Sequence, residues 1–370
     1  MKRRLFTLLL AALTLCSCAQ APQAEKTEPG AAKRMELRYA DQFAVDYDAE
    51  GRALVTIGED RFLVVPEGVE AREEPGAATL RLPLETIYCA SSAAMDPFAR
   101  LGALDTVRLT GTKREDWSLP DIQSAMDAGK ILYAGKYAAP DYELLLSEGA
   151  RLAVENTMIY HNPETKEQLE ELGIPVLVER SSYESHPLGR LEWVKLYGLL
   201  TGRTAEAEAF FNEQAALAES IFARESTGKT AAFFFLTASG GVNVRRPEDY
   251  VAKMIALAGG TYVFDGLAGD GESARSTMNM QTEAFYAGAK DADVLIYNAT
   301  IDGGMDTTAQ LLEKADWLAD FRAVRSGNVW CTEANLFQET TGIAAMIDEL
   351  HQIFSGTAGG SALTYFHKLN

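Results

Sequence analysis

The chain has 370 residues, of which 53 are Asp or Glu and 34 are Lys or Arg, and its formal net charge is −19. A chain this acidic excludes nucleic acid and an anionic membrane surface as electrostatic partners, because both are bound through basic patches. About 335 residues follow residue 34, and a segment of that length indicates two domains rather than one.

The first 34 residues are typical of an export signal followed by a tether. Met1-Lys-Arg-Arg is a basic start, and the apolar run over residues 5–15 is too short for a comfortable membrane span. Leu15-Cys16-Ser17-Cys18 resembles a bacterial lipobox, which implies a signal peptide over residues 1–17 and a lipid on Cys18. An ordinary secretory signal with incidental cysteines is the alternative. Residues 18–34 are predicted to be a flexible tether, which leaves the protein exported and anchored, facing the periplasm or the cell exterior.

Residues 35–185 are predicted to form an amino-terminal α/β lobe. The lobe opens with alternating apolar and polar residues that predict antiparallel strands. Short apolar runs then alternate with amphipathic segments, which predicts a largely parallel sheet. The predicted strands are residues 37–39, 43–47, 54–57, 62–65, 86–90, 107–109, 131–133, 152–154 and 174–178. One predicted helix follows Ser91, and two more cover residues 140–146 and 163–172.

Residues 186–226 are predicted to form a helical bridge. In its first half, apolar residues recur every three or four positions, which predicts one helix with a broad apolar face. Pro187 suits the first turn of that helix and Gly202 suits its end. Thr204 is expected to cap a second helix. A helix of about 20 residues spans about 30 Å, which is enough to brace two small lobes.

Residues 227–370 repeat the alternation of strands and helices and are predicted to form a carboxy-terminal α/β lobe. The fold class is therefore predicted as α/β, with two Rossmann-like lobes, central and mostly parallel sheets, and a long backbone helix between them. The cleft between the lobes is the expected binding site. Cys89 and Cys331 fall in different lobes and are predicted to be buried thiols rather than a disulfide.

Several segments are similar, in order and spacing, to those of one family of exported binding proteins. They are Pro140-Asp-Tyr-Glu143-Leu-Leu-Leu, Leu172-Gly-Ile-Pro-Val176, Pro187-Leu-Gly-Arg190, and Thr282-Glu283 with Asp291-Ala-Asp293-Val-Leu-Ile296. The chain resembles, from about residue 80 onward, the substrate-binding lipoproteins of ABC importers for iron–siderophores, cobalamin and haem. This resemblance implies the class III, helical-backbone periplasmic binding protein fold. It also implies capture of an iron(III)–siderophore-type chelate, with cobalamin or haem as alternatives, and delivery to a permease dimer with its ATPase.

In that family, one glutamate on each lobe docks onto arginine pockets of the permease. By motif position these residues are Glu143 and Glu283. The family usually has Pro-Asp before the strand that follows the first glutamate, where this chain has Arg151-Leu152. From the residues alone, both glutamates also suit solvent-exposed charges near helix N-termini.

Loops that follow strand ends face the cleft in such folds, and they supply the ligand-binding candidates. The predicted ligand-binding residues are Trp117, Tyr137, Arg180, Tyr183, Arg245, Arg246, Tyr297 and Trp330. The same rule also nominates Ser92, Met95, Tyr133, Tyr160, His161, Tyr250, Asn298 and Asn335. Aromatic walls with a few cations suit a large, anionic metal chelate. For each residue the alternative is a local ion pair or a place in the core.

Other functions fit the sequence less well. The four histidines lack metal-ligand spacing, so no direct metal site is predicted, although Tyr160-His161 is a conceivable axial pair for haem. No Gly-x-Ser-x-Gly, His-Glu-x-x-His or phosphate-loop motif occurs, so an exported hydrolase is disfavoured and no cofactor is expected. An adhesive lipoprotein is the remaining alternative. The expected protein is a monomer that meets the membrane only through its lipid.

Overall fold

The computed structural model describes residues 33–267, 276–300, 303–359 and 363–370. Along the chain it contains an amino-terminal sheet, a first α/β lobe, a helical bridge and a second α/β lobe. The predicted signal peptide, Cys18 and most of the predicted tether lie outside the described residues.

The amino-terminal sheet has five strands in sequential order, antiparallel except for the last pair. They are β1 (Lys33–Arg34), β2 (Ala44–Tyr47), β3 (Ala53–Ile57), β4 (Asp60–Val65) and β5 (Ala78–Arg81). The alternation of side chains along β3, with Ala53, Val55 and Ile57 buried, is what a half-covered strand requires. The antiparallel opening is confirmed for β2, β3 and β4. The strand predicted at residues 37–39 is wrong, because the backbone amides there donate to a side-chain carboxylate instead.

The first lobe is built on a five-stranded sheet that is parallel throughout, as predicted. The lobe contains the strands β6 (Ile87–Cys89), β7 (Val107–Thr110), β8 (Leu132–Tyr133), β9 (Gly135–Lys136), β10 (Ala139–Pro140), β11 (Leu152–Asn156) and β12 (Val176–Glu179). Its helices are α1 (Ser92–Arg100), α2 (Pro120–Asp127), α3 (Tyr142–Glu148) and α4 (Pro163–Glu171). The sheet order is β12-β11-β6-β7-β8, and β9 with β10 forms a separate small hairpin.

The bridge consists of α5 (Pro187–Glu192), α6 (Val194–Leu200) and α7 (Thr204–Phe222). The stretch predicted as one helix is therefore two helices, although Trp193 between them keeps a helical backbone, with φ −57° and ψ −21°. Thr204 does not cap α7 but is its first residue, and the preceding Arg203 makes no side-chain cap hydrogen bond. All residues of α5 and α6 are buried.

The second lobe has a mixed sheet in the order β16-β14-β13-β17-β18-β19, with β15 also paired to β13. Its strands are β13 (Thr230–Leu236), β14 (Val242–Arg245), β15 (Thr261–Tyr262), β16 (Thr277–Met280), β17 (Val294–Tyr297), β18 (Val329–Thr332) and β19 (Phe366–Lys368). Its helices are α8 (Tyr250–Leu257), α9 (Thr282–Ala289), α10 (Thr308–Lys314), α11 (Arg322–Arg325) and α12 (Ile343–Ser355). The pairs of β13 with β15 and β17, and of β17 with β18, are parallel, and the outer pairs are antiparallel.

One continuous apolar core joins these parts. It includes Val55 of the amino-terminal sheet, Leu177 of the first lobe, Leu196 of the bridge, and Phe234 and Ile347 of the second lobe. A smaller core covers the other face of the first-lobe sheet. Because the lobes share one core, a wide opening between them would expose much apolar surface, so small relative motions are expected.

The two cysteines after residue 33 lie in different sheets. Cys89 is in β6 and Cys331 is in β18, and the pair forms no disulfide, as predicted. Burial raises the pKa of the Cys89 thiol well above its ordinary value. Among the described helices, none combines the length and apolar composition needed to cross a membrane.

Candidate functional site

Gln338 shows how the two lobes face each other. It lies in the loop after β18, and its Oε1 accepts a hydrogen bond from the Ser118 amide at 2.8 Å. Its Nε2 donates to the carbonyl oxygen of Asp116, also at 2.8 Å. Both partners belong to the loop that follows β7 in the first lobe. Loops at the carboxyl ends of the parallel strands of both sheets therefore meet, and the space between them is the candidate cleft.

A second set of contacts closes the cleft on the side of the bridge. Asp96 of α1 accepts a hydrogen bond from the Thr341 amide at 2.6 Å, and the Thr340 hydroxyl donates to the Ala93 carbonyl at 2.9 Å. Burial raises the pKa of Asp96, and the hydrogen bond from Thr341 acts in the opposite direction. The turn at residues 340–342 also packs on α5. The lobes are thus linked through polar contacts near the bridge.

Arg190 is a buried cation beside this junction. It lies on α5, is 5% exposed, and its guanidinium is 4.6 Å from the centre of the Tyr250 ring on α8. Its guanidinium makes no hydrogen bond and no ion pair with any residue in the described part of the chain. A guanidinium in this setting, stacked on an aromatic ring with its N–H groups unused, suits a planar anionic partner.

Arg245, at the end of β14, is a second cation in the same neighbourhood. Its guanidinium is 4.7 Å from the Phe337 ring and 5.5 Å from the Phe233 ring, and Nη1 is 3.6 Å from Oδ2 of Asp249. Burial raises the pKa of Asp249, and the charges of Arg245 and Arg190 both act to lower it. Both guanidinium groups therefore lie close to Asp249. Phe337 belongs to the same loop as Gln338, which places Arg245 at the cleft.

Arg180 and Tyr183 form a separate cluster at the first-lobe rim. The Arg180 guanidinium is 5.3 Å from the Tyr183 ring, and its Nη2 donates to Oε1 of Gln42 at 3.2 Å. A Cβ at Gly58 would lie 2.7 Å from Nη1 of Arg180, so glycine lets the amino-terminal sheet approach this side chain. The predicted candidates Arg180 and Tyr183 are therefore brought together, and the amino-terminal sheet covers one side of them.

Tyr297 and Trp330 are predicted to contact the ligand, but the structure buries both side chains in the second-lobe sheet. Tyr297 is fully buried at the end of β17, with its ring 5.5 Å from that of Phe234. Trp330 is 6% exposed in β18, and its Nε1 donates to Oδ1 of Asn328 at 3.0 Å. Both strands are central in the sheet and buried along their whole length, so side chains at their ends pack inward rather than toward the cleft.

The other three candidates have different surroundings. Trp117 is 2% exposed between Asp116 and Ser118, and its indole N–H has no hydrogen-bond partner in the described structure. Tyr137 is half-buried on the β9–β10 hairpin. It packs against the smaller core of the first lobe rather than at the lobe junction. The Arg246 side chain donates to the Thr277 carbonyl at the sheet edge. Of these three, only Trp117 borders the contact between the lobes.

Glu143 and Glu283 occupy equivalent places on the two lobes. Glu143 is the second residue of α3 and Glu283 is the second residue of α9, and both side chains are exposed. Each helix leads directly into a parallel strand of its sheet, β11 or β17. Neither carboxylate forms an ion pair within the described residues. The first turn of a helix favours a negative side chain, so both positions present a stable exposed charge.

Comparison with known proteins gives few sequence relatives. No protein-family model matches the chain. Two uncharacterized lipoproteins of Methanocaldococcus jannaschii are similar to it. One is 24% identical over 330 residues, which covers 83% of this chain and 76% of the relative. The other is 23% identical over 350 residues, which covers 90% of this chain and 86% of the relative.

Solved structures give a clearer result. A periplasmic haem-binding protein from Pseudomonas aeruginosa matches with a TM-score of 0.60 and 16% identity, over 77% of this chain and 98% of that one. An Fe3+-hydroxamate transport protein from Saccharomonospora viridis matches with a TM-score of 0.57 and 20% identity, over 74% and 93%. The vitamin B12-binding protein BtuF of Vibrio cholerae matches with a TM-score of 0.52 and 14% identity, over 75% and 99%. The chain has the class III periplasmic binding protein fold. At these identities the likeness concerns the fold, and the three structures are of solute-binding proteins rather than enzymes.

Three residues of this periplasmic binding protein fold were missed by sequence reasoning. Gln338 and Asp96 carry contacts between the lobes, and nothing in the sequence marks them. Arg190 had a signal, because it is one of three charged residues, with Glu192 and Lys195, inside an otherwise apolar run. Charges on a helix whose whole surface is buried need specific partners.

The described residues contain no group of three or more His, Cys, Asp and Glu side chains placed to hold a metal ion.

Proposed function

We propose that this chain is the substrate-binding lipoprotein of an ABC importer, and that it captures a metal chelate between its lobes. The observation that carries the proposal is the pair Arg190 and Arg245. In a protein of net charge −19, these two guanidinium groups meet aromatic rings at the lobe junction, and Arg190 has no polar partner among the described residues. The periplasmic binding protein fold supports a capture role.

The proposed ligand is an anionic iron(III) chelate of the siderophore type. Guanidinium groups stacked on aromatic rings suit ligands with delocalised negative charge and flat apolar faces, such as catecholate or carboxylate chelates. Haem, with two carboxylates and a flat ring, is the second candidate, and cobalamin is the third. Proteins of similar fold are named for iron, haem, hydroxamate and vitamin B12.

Capture is proposed to involve a small rotation of the lobes. The shared core and the contacts of Gln338 and Asp96 hold the lobes together on the bridge side. A ligand that touches both lobes stabilises the more closed arrangement and shifts the population toward it. The chain itself is proposed to bind no nucleotide, because the importer's ATPase supplies the energy.

Delivery is proposed to use Glu143 and Glu283. Two exposed carboxylates at equivalent positions of the two lobes can meet two positive pockets of a permease dimer, and their spacing reports the arrangement of the lobes. The anchor is proposed to be a lipid on Cys18, which agrees with the naming of both M. jannaschii relatives as lipoproteins. The protein is proposed to act as a monomer outside the cytoplasm.

Titration of tryptophan fluorescence tests the proposal. The chain from residue 18 with Cys18→Ser retains every described residue and is titrated with ferric catecholate, ferric hydroxamate, haem and cobalamin. Saturable quenching is expected with ferric catecholate, since Trp117 lies on a loop that borders the cleft. Saturation by haem or cobalamin alone would keep the transport role and change the ligand class. Flat titrations with all four ligands would contradict chelate capture.

A further inference from the structure

Five consecutive backbone amides near the start of the folded chain bind two buried carboxylates. The amides of Arg38, Tyr39 and Ala40 donate to Glu192 at 2.8–3.0 Å. The next two amides, of residues 41 and 42, donate to Glu184 at 2.8 and 3.2 Å. Glu192 is fully buried and Glu184 is 2% exposed. A run of N–H groups that converges on charged acceptors is a strong and directional attachment.

Both carboxylates are fixed to the bridge as well. Glu192 lies on α5 and accepts a hydrogen bond from Nζ of Lys195 on α6 at 2.8 Å. The same Nζ donates to the carbonyl of Glu36 at 2.9 Å. Glu184 precedes α5 and accepts from the indole N–H of Trp193 at 2.7 Å. The carboxylates therefore connect residues 36–42, which we call the clamp segment, to α5 and α6 together.

Gly189 makes the close approach of the clamp segment possible. A Cβ at this position of α5 would lie 2.9 Å from the Tyr39 carbonyl oxygen and 3.0 Å from Oε2 of Glu184. Contacts this short force the neighbouring atoms to move, and one of them is backbone. Any side chain at residue 189 therefore pushes the clamp segment away from the bridge.

The clamp segment also reaches α7. The Tyr39 hydroxyl donates to Oε1 of Glu219 at 2.5 Å, and Arg38 forms an ion pair with the same carboxylate. The Tyr39 ring stacks on His186 with centroids 4.6 Å apart and meets the Phe211 ring edge-on at 6.4 Å. One short segment thus contacts all three helices of the bridge.

We propose that residues 36–42 form a clamp that holds α5, α6 and α7 as one rigid unit and so limits the rotation of the lobes. The two lobes are joined through these helices, and any bending between α5 and α6 changes the angle between the lobes. The clamp spans that joint, because Glu192 and Lys195 stand on either side of Trp193. It also fixes α5 and therefore Arg190, two residues before Glu192. The proposal concerns the ligand-free protein and does not depend on the nature of the ligand.

The test combines hydrogen exchange with a distance measurement between the lobes. Spin labels are placed at Glu167→Cys on α4 and Glu313→Cys on α10, both exposed, in the chain from residue 18 with Cys18→Ser. The native Cys89 and Cys331 are at most 1% exposed and remain unlabelled. The variant Gly189→Ala is compared with the matched control Gly266→Ala, where a Cβ has no neighbour within 4 Å among the described residues.

In Gly189→Ala the amides of residues 38–42 are expected to exchange roughly tenfold faster or more, and the distribution of distances between the lobes is expected to broaden. The control should change neither measurement. Faster exchange with an unchanged distance distribution would overturn the clamp, because the segment would then be attached without restraining the lobes. Unchanged exchange would overturn it as well.

A milder variant covers the case in which Gly189→Ala does not fold. Tyr39→Phe removes only the hydroxyl that binds Glu219 and leaves the amide contacts in place. A smaller broadening of the distance distribution is expected, with faster exchange at residue 39. A distribution identical to that of the parent would count against the participation of α7 and, together with slow exchange, against the clamp.

Discussion

The glutamates of the bridge and those of the lobes show one residue type in two opposite settings. Glu192 is fully buried and accepts hydrogen bonds from three backbone amides and from Lys195. Glu143 and Glu283 are exposed on the first turns of α3 and α9 and form no ion pair with described residues. A buried carboxylate with all its acceptors used serves the structure, whereas an exposed one without a partner remains available to another molecule.

The largest expected effect is the loss of chelate uptake when either exposed glutamate, Glu143 or Glu283, is removed. Glu143→Ala and Glu283→Ala are each expected to abolish chelate uptake in cells, because each removes one docking charge, while ligand affinity changes by less than about twofold. Glu167→Ala, an exposed glutamate on α4, is the matched control and should leave uptake intact. Loss of ligand affinity in both docking variants would show that these glutamates do not act through the permease.

Removal of the buried bridge carboxylate, Glu192, should instead lower the stability of the fold. Glu192→Ala leaves Lys195 buried without its partner and three amides without their acceptor, so the free energy of unfolding is expected to fall by about 3–5 kcal/mol. Urea denaturation measures this change. The exposed Glu171→Ala should alter stability by less than about 0.5 kcal/mol. A similarly small effect for Glu192→Ala would contradict a structural role for this buried carboxylate.

Glu155 differs from both groups, because it is fully buried in β11 and neither carboxylate oxygen is hydrogen-bonded to a described residue. Burial raises its pKa to about 8 from an ordinary value of 4.5. The folded protein therefore holds a proton that the unfolded chain releases above pH 4.5. As pH rises from about 4.5 to 8, this residue lowers the free energy of unfolding by at most about 1.4 kcal/mol per pH unit.

Glu155→Gln should make the dependence of stability on pH in that range less steep, because the amide cannot ionise. Part of the dependence should remain, since burial also raises the pKa of Glu184 to about 7, which acts in the same direction. Denaturation curves collected between pH 5 and 8 measure the slope, with Glu171→Gln as the control. An unchanged slope in Glu155→Gln would mean that Glu155 is already ionised in the folded protein.

The smallest expected effect on stability concerns the starts of α3 and α9, the helices that carry Glu143 and Glu283. Asp141 caps α3 by accepting a hydrogen bond from the Leu144 amide at 3.0 Å, whereas Gln281 before α9 makes no cap bond. Asp141→Ala is therefore expected to lower the free energy of unfolding by about 1 kcal/mol, and Gln281→Ala to change it little. Equal effects in thermal denaturation would contradict this difference between the helices.

The parts of the fold that depend on local pattern could be predicted from the sequence. The parallel first-lobe sheet follows from the alternation of strands and helices, and Glu143 falls in a first helical turn because Pro140 and Asp141 precede it. The extent of the bridge also follows from its apolar period, even though Trp193 divides the first helix.

The parts that depend on distant contacts could not be predicted. Residues 37–39 have the alternation of a strand, yet their amides bind Glu192, which is 154 positions from Arg38. Tyr297 follows the rule that strand ends face a cleft, but coverage of both faces of β17 places it in the core. The apolar period around Arg190 predicts a helix, but the position of Arg190 beside Tyr250 depends on how the lobes meet.

Chelate binding at the lobe junction can be tested by calorimetric titration of three variants with the chelate that quenches the parent protein. Arg190→Gln and Arg245→Gln each remove one cleft guanidinium, and Arg151→Gln removes an exposed one on the first lobe. Each cleft variant is expected to bind the chelate roughly 10- to 100-fold more weakly, which is the effect of losing a hydrogen-bonded charge, whereas Arg151→Gln is expected to bind like the parent. Parental affinity in both cleft variants would contradict capture of an anionic chelate at the lobe junction.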